Sequence, residues 1–169
     1  MARSENGYPF GKVGLFAGLA VLWVVLDQVT KSFFAGQEPG GIIAGPFFGL
    51  VDIRLVHNTG GAWGIFSQST FGLGVFSLIV CAVIAAFFLG TARQCNLLQT
   101  VSFALIVAGG IGNAIDRFAQ GFVIDFIEFS FIDFPVFNVA DIGVTCGFAL
   151  LVIGMLLNMK NGEPEIGER

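Results

Sequence analysis

Four apolar runs, each long enough to cross about 30 Å of hydrocarbon, constrain this chain more than any other feature. They cover Val13–Phe34, Thr70–Gly90, Leu97–Ile115 and Val139–Asn158. In lipid every backbone N–H and C=O must be satisfied within the protein, so runs of this length are expected as transmembrane helices. Composition agrees. Only 12% of the 169 residues are charged, against about 25% in a soluble domain, and the mean hydropathy is +0.84. The expected fold is a mainly α, polytopic membrane protein forming a single membrane-embedded domain over residues 1–169.

The first run resembles a secretory leader at its start, because Arg3 and Lys12 precede an apolar stretch ending at Leu26. No small-x-small cleavage pattern follows, and the run resumes after Asp27 to spanning length. It is therefore read as a retained helix. Lys/Arg counts set the orientation. Arg3, Lys12, Arg93, Lys160 and Arg169 flank one side, and Lys31, Arg54 and Arg117 the other. The bias favours both termini in the cytoplasm and places segments 35–69 and 116–138 outside, with residues 161–169 as a disordered tail.

The outer segments do not read as helices. In Leu50–Val56, Asp52 and Arg54 alternate with Val51, Ile53 and Leu55, the period of a half-buried strand. Glycines at 40, 41, 45, 49, 60, 61 and 64 suggest hairpins. Phe122–Phe134 is rich in β-formers, so a small β-rich platform on the outer face is expected. Irregular loops are the alternative.

Net charge is −4 and the pI is near 4.7, which leaves no basic patch for nucleic acid. Cys81, Cys95 and Cys146 are scattered and read as packing residues, not as a disulfide framework or zinc site. His57 is the only histidine. There is no HExxH metal motif and no Gly-x-Ser-x-Gly nucleophile elbow, so neither a cofactor nor a metal is expected. His57 itself reads as a surface or hydrogen-bonding residue.

Ionisable residues at a membrane boundary are costly and mark function by default. Asp125 lies in Phe122-Val-Ile-Asp125-Phe126 and Asp141 in Phe137-Asn-Val-Ala-Asp141, at the head of the fourth run. Two carboxylates that meet share a proton, so that one can activate water while the other protonates a carbonyl. A second reading makes Asp141 a helix cap and Asp125 half of an ion pair. A third makes the acids a proton relay in a small transporter. That reading calls for mid-span acids and an inverted repeat, and neither is evident.

The polar residues fall into five ordered motifs. They are Leu26-Asp27-Gln-Val-Thr-Lys31, His57-Asn58-Thr-Gly60-Gly61-Ala-Trp63, Gly109-Gly110-Ile-Gly112-Asn113-Ala-Ile-Asp116-Arg117, Val123-Ile-Asp125-Phe126 and Phe137-Asn138-Val-Ala-Asp141. Together they resemble the lipoprotein signal peptidase (signal peptidase II) family over about Asp27 to Gly147. Gly61 and Ile142 stand where members often carry alanine and serine.

The resemblance implies an aspartic endopeptidase of the bacterial inner membrane, with its site near the outer face. Its substrates would be diacylglyceryl-modified prolipoproteins, cut just before the lipidated cysteine. Asp125 and Asp141 would be the catalytic dyad, and the antibiotic globomycin an inhibitor. Asn58, Asn113 and Asn138 are expected to hold an extended substrate backbone. Arg117 would pair with Asp116, lipid or a substrate carbonyl. Asp27 and Lys31, four apart on one helical face, would form a stabilising pair or a wall of the site. Gly60, Gly61, Gly110 and Gly112 would serve turns and close packing. Trp63 and Phe137 are candidates to line an acyl groove. The glycine-rich stretch before Asn58 and the 117–138 segment are candidates for a lid.

Overall fold

A computed structural model describes residues 9–60 and 69–161, with side chains to residue 157. Among them, four helices are long and apolar enough to span a membrane. They are α1 (Phe10–Phe34), α2 (Thr70–Thr91), α3 (Leu97–Gln120) and α4 (Val139–Asn161). Three antiparallel strands, β1 (Ile42–Phe47), β2 (Val51–Asn58) and β3 (Val123–Phe129), form one sheet in the order β1-β2-β3. The expected mainly helical membrane fold with a small β platform is the one observed.

α3 is the hub. In its most apolar window 56% of residues are buried, against 11%, 17% and 22% in α1, α2 and α4. Its composition explains this, because Ala104, Ala108, Gly109 and Gly112 let neighbouring backbones approach closely, as membrane helices require. A Cβ at Gly109 would collide with the Ala140 carbonyl and the Val144 side chain of α4. One at Gly147 of α4 would sit 2.8 Å from the Ser102 carbonyl of α3. Gly109→Val is therefore expected to force α4 away and lower stability by about 1–3 kcal/mol, read as a lower unfolding midpoint in detergent. An unchanged midpoint would contradict this account of the seam.

The ends of α3 are fixed by local chemistry. Asn96 and Gln99 form a reciprocal capping box, and Gly121 closes the helix at φ +80°. The helix therefore runs to Gln120 and carries Asn113, Asp116 and Arg117 on its final turns. At the opposite end of the bundle, Lys12 of α1 donates to the Arg93 and Cys95 carbonyls of the α2–α3 turn, at 3.0 and 2.6 Å.

The strand reading needs a correction of phase. Asp52 and Leu55 are both buried in β2, so the burial does not alternate through the strand. An irregularity in the β2–β3 pairing between Ile53 and Val56 shifts the side chains to the other face. Asp52 then accepts from Ser130 Oγ at 2.7 Å, while Arg54 pairs with Glu128 at 3.0 Å. Leu55, Ile124 and Phe126 form the inner face of the sheet, against Phe34 and Val139. Phe34 stacks on Phe126 with ring centroids 4.5 Å apart. This contact seats the sheet over the ends of α1 and α4.

Candidate active site

β3 and the start of α4 bring Asp125 and Asp141 to one cavity of about 430 Å³. Asn58, Asn113 and Arg117 share its wall, as do Phe129, Phe134 and Phe137. Asp125 is 2% exposed, and Asp141 is half-buried. Asn138 joins them. Its side-chain amide donates to Asp125 Oδ1 at 2.6 Å, and its backbone N–H donates to Asp141 Oδ2 at 3.1 Å. Asp141 N–H returns a bond to Asn138 Oδ1 at 3.0 Å. Asn138 is thus the N-cap of α4, with Asp141 its reciprocal partner one turn on.

The cap reading is therefore half of the observed arrangement. One oxygen of Asp141 serves the cap, while the other accepts from Asn113 Nδ2 at 2.7 Å. The ion-pair reading of Asp125 does not hold. Its second oxygen accepts from Asn58 Nδ2 at 2.9 Å, and among the described residues no cation lies in ion-pair contact with it. Burial first, and repulsion from Asp141 second, raise the Asp125 carboxyl to about 7 against the lowering effects of Asn58, Asn138 and Lys31.

The three asparagines expected to hold substrate are each bonded to one of these carboxylates. Asn58 and Asn138 donate to Asp125, and Asn113 donates to Asp141. Arg117 and Asp116 do not pair. Consecutive helical residues point about 100° apart, so the two side chains face different surroundings. Arg117 donates to the Gly60 and Asn113 carbonyls at 3.2 and 3.4 Å. Asp116 turns inward, meets Lys31 at 3.0 Å and accepts the Ile124 N–H at 3.1 Å.

Asp27 and Lys31 form a buried layer behind the cavity rather than its wall. Lys31 Nζ lies 2.9 Å from Asp27 Oδ2 and donates to Asn113 Oδ1 at 2.9 Å. The other oxygen of Asp27 accepts the Ala140 N–H at 2.8 Å, which fastens the start of α4 to α1. Gln28 completes the layer, with bonds to Asp27 and Asp116. Gly112 is needed here for space, because a Cβ would lie 2.5 Å from Asp27 Oδ2.

His57 stands apart on the outer side of β2, exposed and stacked on Phe122 with ring centroids 3.9 Å apart. Phe137 lines the cavity as expected of a groove residue. Gly61, Trp63 and the tail beyond Asn161 lie outside the described residues.

Sequence reasoning missed Gln28 as a partner, and it missed the apolar wall made by Phe129, Phe134, Pro135 and Val136 with Val144 and Cys146 of α4. Gln28 carried a usable signal, since a glutamine beside Asp27 near the end of a spanning run needs a polar partner as the aspartate does. The wall carried none.

Four spanning helices among the described residues, with a largely apolar cavity that holds two carboxylates where β3 meets α4, define a polytopic membrane enzyme. Comparison with known proteins supports this class. The family profile described as Signal peptidase (SPase) II matches residues 19–157. The lipoprotein signal peptidase of Streptococcus pneumoniae (strain ATCC BAA-255 / R6) is 34% identical over 151 residues, 89% of this chain and 98% of that protein. That of Staphylococcus aureus (strain bovine RF122 / ET3-1) is 35% identical over 151 residues, 88% and 92% of the two chains.

Two solved structures, each described as a bacterial membrane enzyme determined by the in meso method, superpose on the fold. The one at 2.3 Å gives a TM-score of 0.82 at 33% identity, over 90% of this chain and 94% of that one. The one at 1.9 Å gives 0.76 at 35% identity, over 85% and 94%. The chain belongs to the signal peptidase II family. It is a multi-pass membrane peptidase of the kind that removes signal peptides from prolipoproteins.

Proposed function

We propose that this peptidase is an aspartic endopeptidase in which Asp125 and Asp141 together hydrolyse the bond just before a diacylglyceryl-modified cysteine. The observation that carries the reading is the joint placement of the two carboxylates. They share one cavity, are tied together through Asn138, and repel each other enough to help raise Asp125 to about 7. One proton between two such groups supplies an acid and a base at once.

The ionised carboxylate takes a proton from water as its oxygen attacks the scissile carbonyl carbon. The protonated carboxyl donates to the carbonyl oxygen as the tetrahedral intermediate forms. Collapse breaks the C–N bond, the proton taken from water passes to the leaving amine, and a hydroxyl proton of the intermediate returns to the pair of carboxylates to restore the shared proton. The products are a signal peptide ending in a carboxylate and a lipoprotein with a free amino-terminal cysteine. Phe129, Phe134, Phe137 and Ile142 give the cavity an apolar side suited to acyl chains, opposite the polar side that holds the peptide.

The proposed setting is the bacterial cytoplasmic (inner) membrane, with both termini cytoplasmic and the site near the outer face. The single peptidase domain spans the whole chain, and globomycin is the expected inhibitor. Side-chain geometry strengthens the charge argument. On the site's end, Lys31 is buried among carboxylates and Arg117 is bonded to backbone carbonyls, which leaves Arg54 as the loop cation there. The Lys/Arg excess therefore belongs to the other end.

Purified protein given a diacylglyceryl-prolipoprotein should release a product whose mass begins at the lipidated cysteine. Globomycin should stop its release. The free enzyme's kcat/KM should fall as pH rises through about 7, because the shared proton is present below that value and lost above it. A cut elsewhere, or activity still rising well above this pH, would contradict the reading.

A further inference from the structure

Lys31 is an ammonium buried among groups that the hydrolysis itself does not touch. It is 2% exposed and sits between Asp27 and Asp116, at 2.9 and 3.0 Å. Two carboxylates already match one cation. Yet Lys31 keeps a third partner, the side-chain oxygen of Asn113 at 2.9 Å. The nitrogen of the same amide donates to Asp141 Oδ1 at 2.7 Å. An amide whose oxygen receives a charged donor becomes a stronger donor at its nitrogen. The cation thus reaches Asp141 through one intervening amide, whereas its path to Asp125 is a group longer: the Asn113 oxygen also accepts from Asn138 Nδ2 at 3.0 Å, and that nitrogen donates to Asp125. The donors to Asp125 are Asn58 and Asn138. Among the described residues, Asn58 accepts the neutral Gly60 N–H at its oxygen and Asn138 accepts the neutral Asp141 N–H.

We infer that Lys31 is a positioning residue that acts through Asn113 to make Asp141 the ionised aspartate that activates water, leaving the shared proton on Asp125. The assignment rests on the dyad proposed above and settles which member plays which part. Exposure agrees with it. Asp141 is half-buried and faces the cavity from which water comes, while Asp125 is 2% exposed and better suited to a neutral form. The Asp125 carboxyl, raised to about 7 by burial first and by repulsion from Asp141 second, is a far better proton holder in neutral solution than an ordinary aspartate. The charged groups around the pair are Asp27 and Lys31 from α1 and Asp116 and Arg117 from α3. Of these cations, Lys31 is coupled to Asp141 by a bonded path, and Arg117 is turned to carbonyls.

The test is the pH profile of kcat/KM with a diacylglyceryl-prolipoprotein. In Asn113→Ala the link is cut while the Lys31 ion pairs stay in place. The acid limb should move to higher pH by about one unit, with the alkaline limb unmoved. In Asn58→Ala the alkaline limb should move upward instead and the acid limb stay. Lys31→Met should shift the acid limb as Asn113→Ala does, with kcat reduced more than KM is changed, and Lys31→Arg should restore it.

If Lys31→Met does not fold, the two asparagine variants decide the matter alone. An acid limb that moves in Asn58→Ala and not in Asn113→Ala reverses the assignment, and limbs that move in neither variant remove the role given to Lys31. Both results leave the dyad standing. The dyad fails separately, if Asp125→Asn or Asp141→Asn retains full activity.

Discussion

Asp125→Asn and Asp141→Asn are each expected to lower the processing of a diacylglyceryl-prolipoprotein by about 10³-fold while leaving the protein folded in the membrane. Asparagine keeps the shape and one acceptor oxygen at either place, so one of the two bonds that each carboxylate accepts survives, from Asn58 or Asn138 at 125 and from Asn113 or the Asn138 N–H at 141. What is lost is the ability to exchange a proton. Combining the two changes should add little to either alone, because the pair works as one unit. The readout is accumulation of uncleaved lipidated precursor, with the amount of the membrane protein unchanged.

A second readout separates chemistry from folding. The Asp125 carboxyl is held near 7 in the folded protein against 3.8 ordinarily. The folded state therefore binds more protons between these values, and stability falls as pH rises from about 4 to about 7. Asp125→Asn removes that cost. It should melt higher than the native protein above about pH 7, and the difference should vanish near pH 4. A variant that is inactive yet more stable in alkali cannot be explained by misfolding. Lower stability than the native protein in alkali would contradict the buried environment given to Asp125.

The largest effect on stability is expected from Asp27→Ala. Asp27 is fully buried, pairs with Lys31, accepts from Gln28 and receives the Ala140 N–H. Its removal leaves an ammonium with one carboxylate partner, and leaves an amide of the first turn of α4 without an acceptor. Breaking such a buried pair costs about 3–5 kcal/mol. At about 2–4 °C per kcal/mol for a chain of this size, the melting temperature should drop by about 10 °C or more. Asp27→Asn keeps the acceptor for Ala140 and should lose less. Equal losses would mean that the helix-start bond contributes nothing and the ion pair everything.

Much of this architecture is legible in the residues because lipid is a demanding solvent. A run of apolar residues with unbonded backbone has one economical conformation, so the four helices follow from hydropathy. The same cost made Asp125 and Asp141 conspicuous. Partner choice was not legible. Asp116 and Arg117 are adjacent and opposite in charge, yet the turn of α3 sends one to Lys31 and the other to Gly60. In β2 the alternation of Asp52 and Arg54 held only to the irregularity after Ile53, which depends on the pairing with β3. The apolar wall from Phe129 to Phe137 arises because the Phe137 N–H and carbonyl both bond Ile127 and fold the segment back. No local pattern encodes that return.

Asn138 gives the bundle the character of an interlock. One residue caps α4, holds Asp141 by its backbone and grips Asp125 on a strand from a different part of the chain. The gripping amide is in place only when the sheet has docked on the helix start. In the proposed reaction, the means to cut a peptide bond is therefore complete only when sheet and helix start have met.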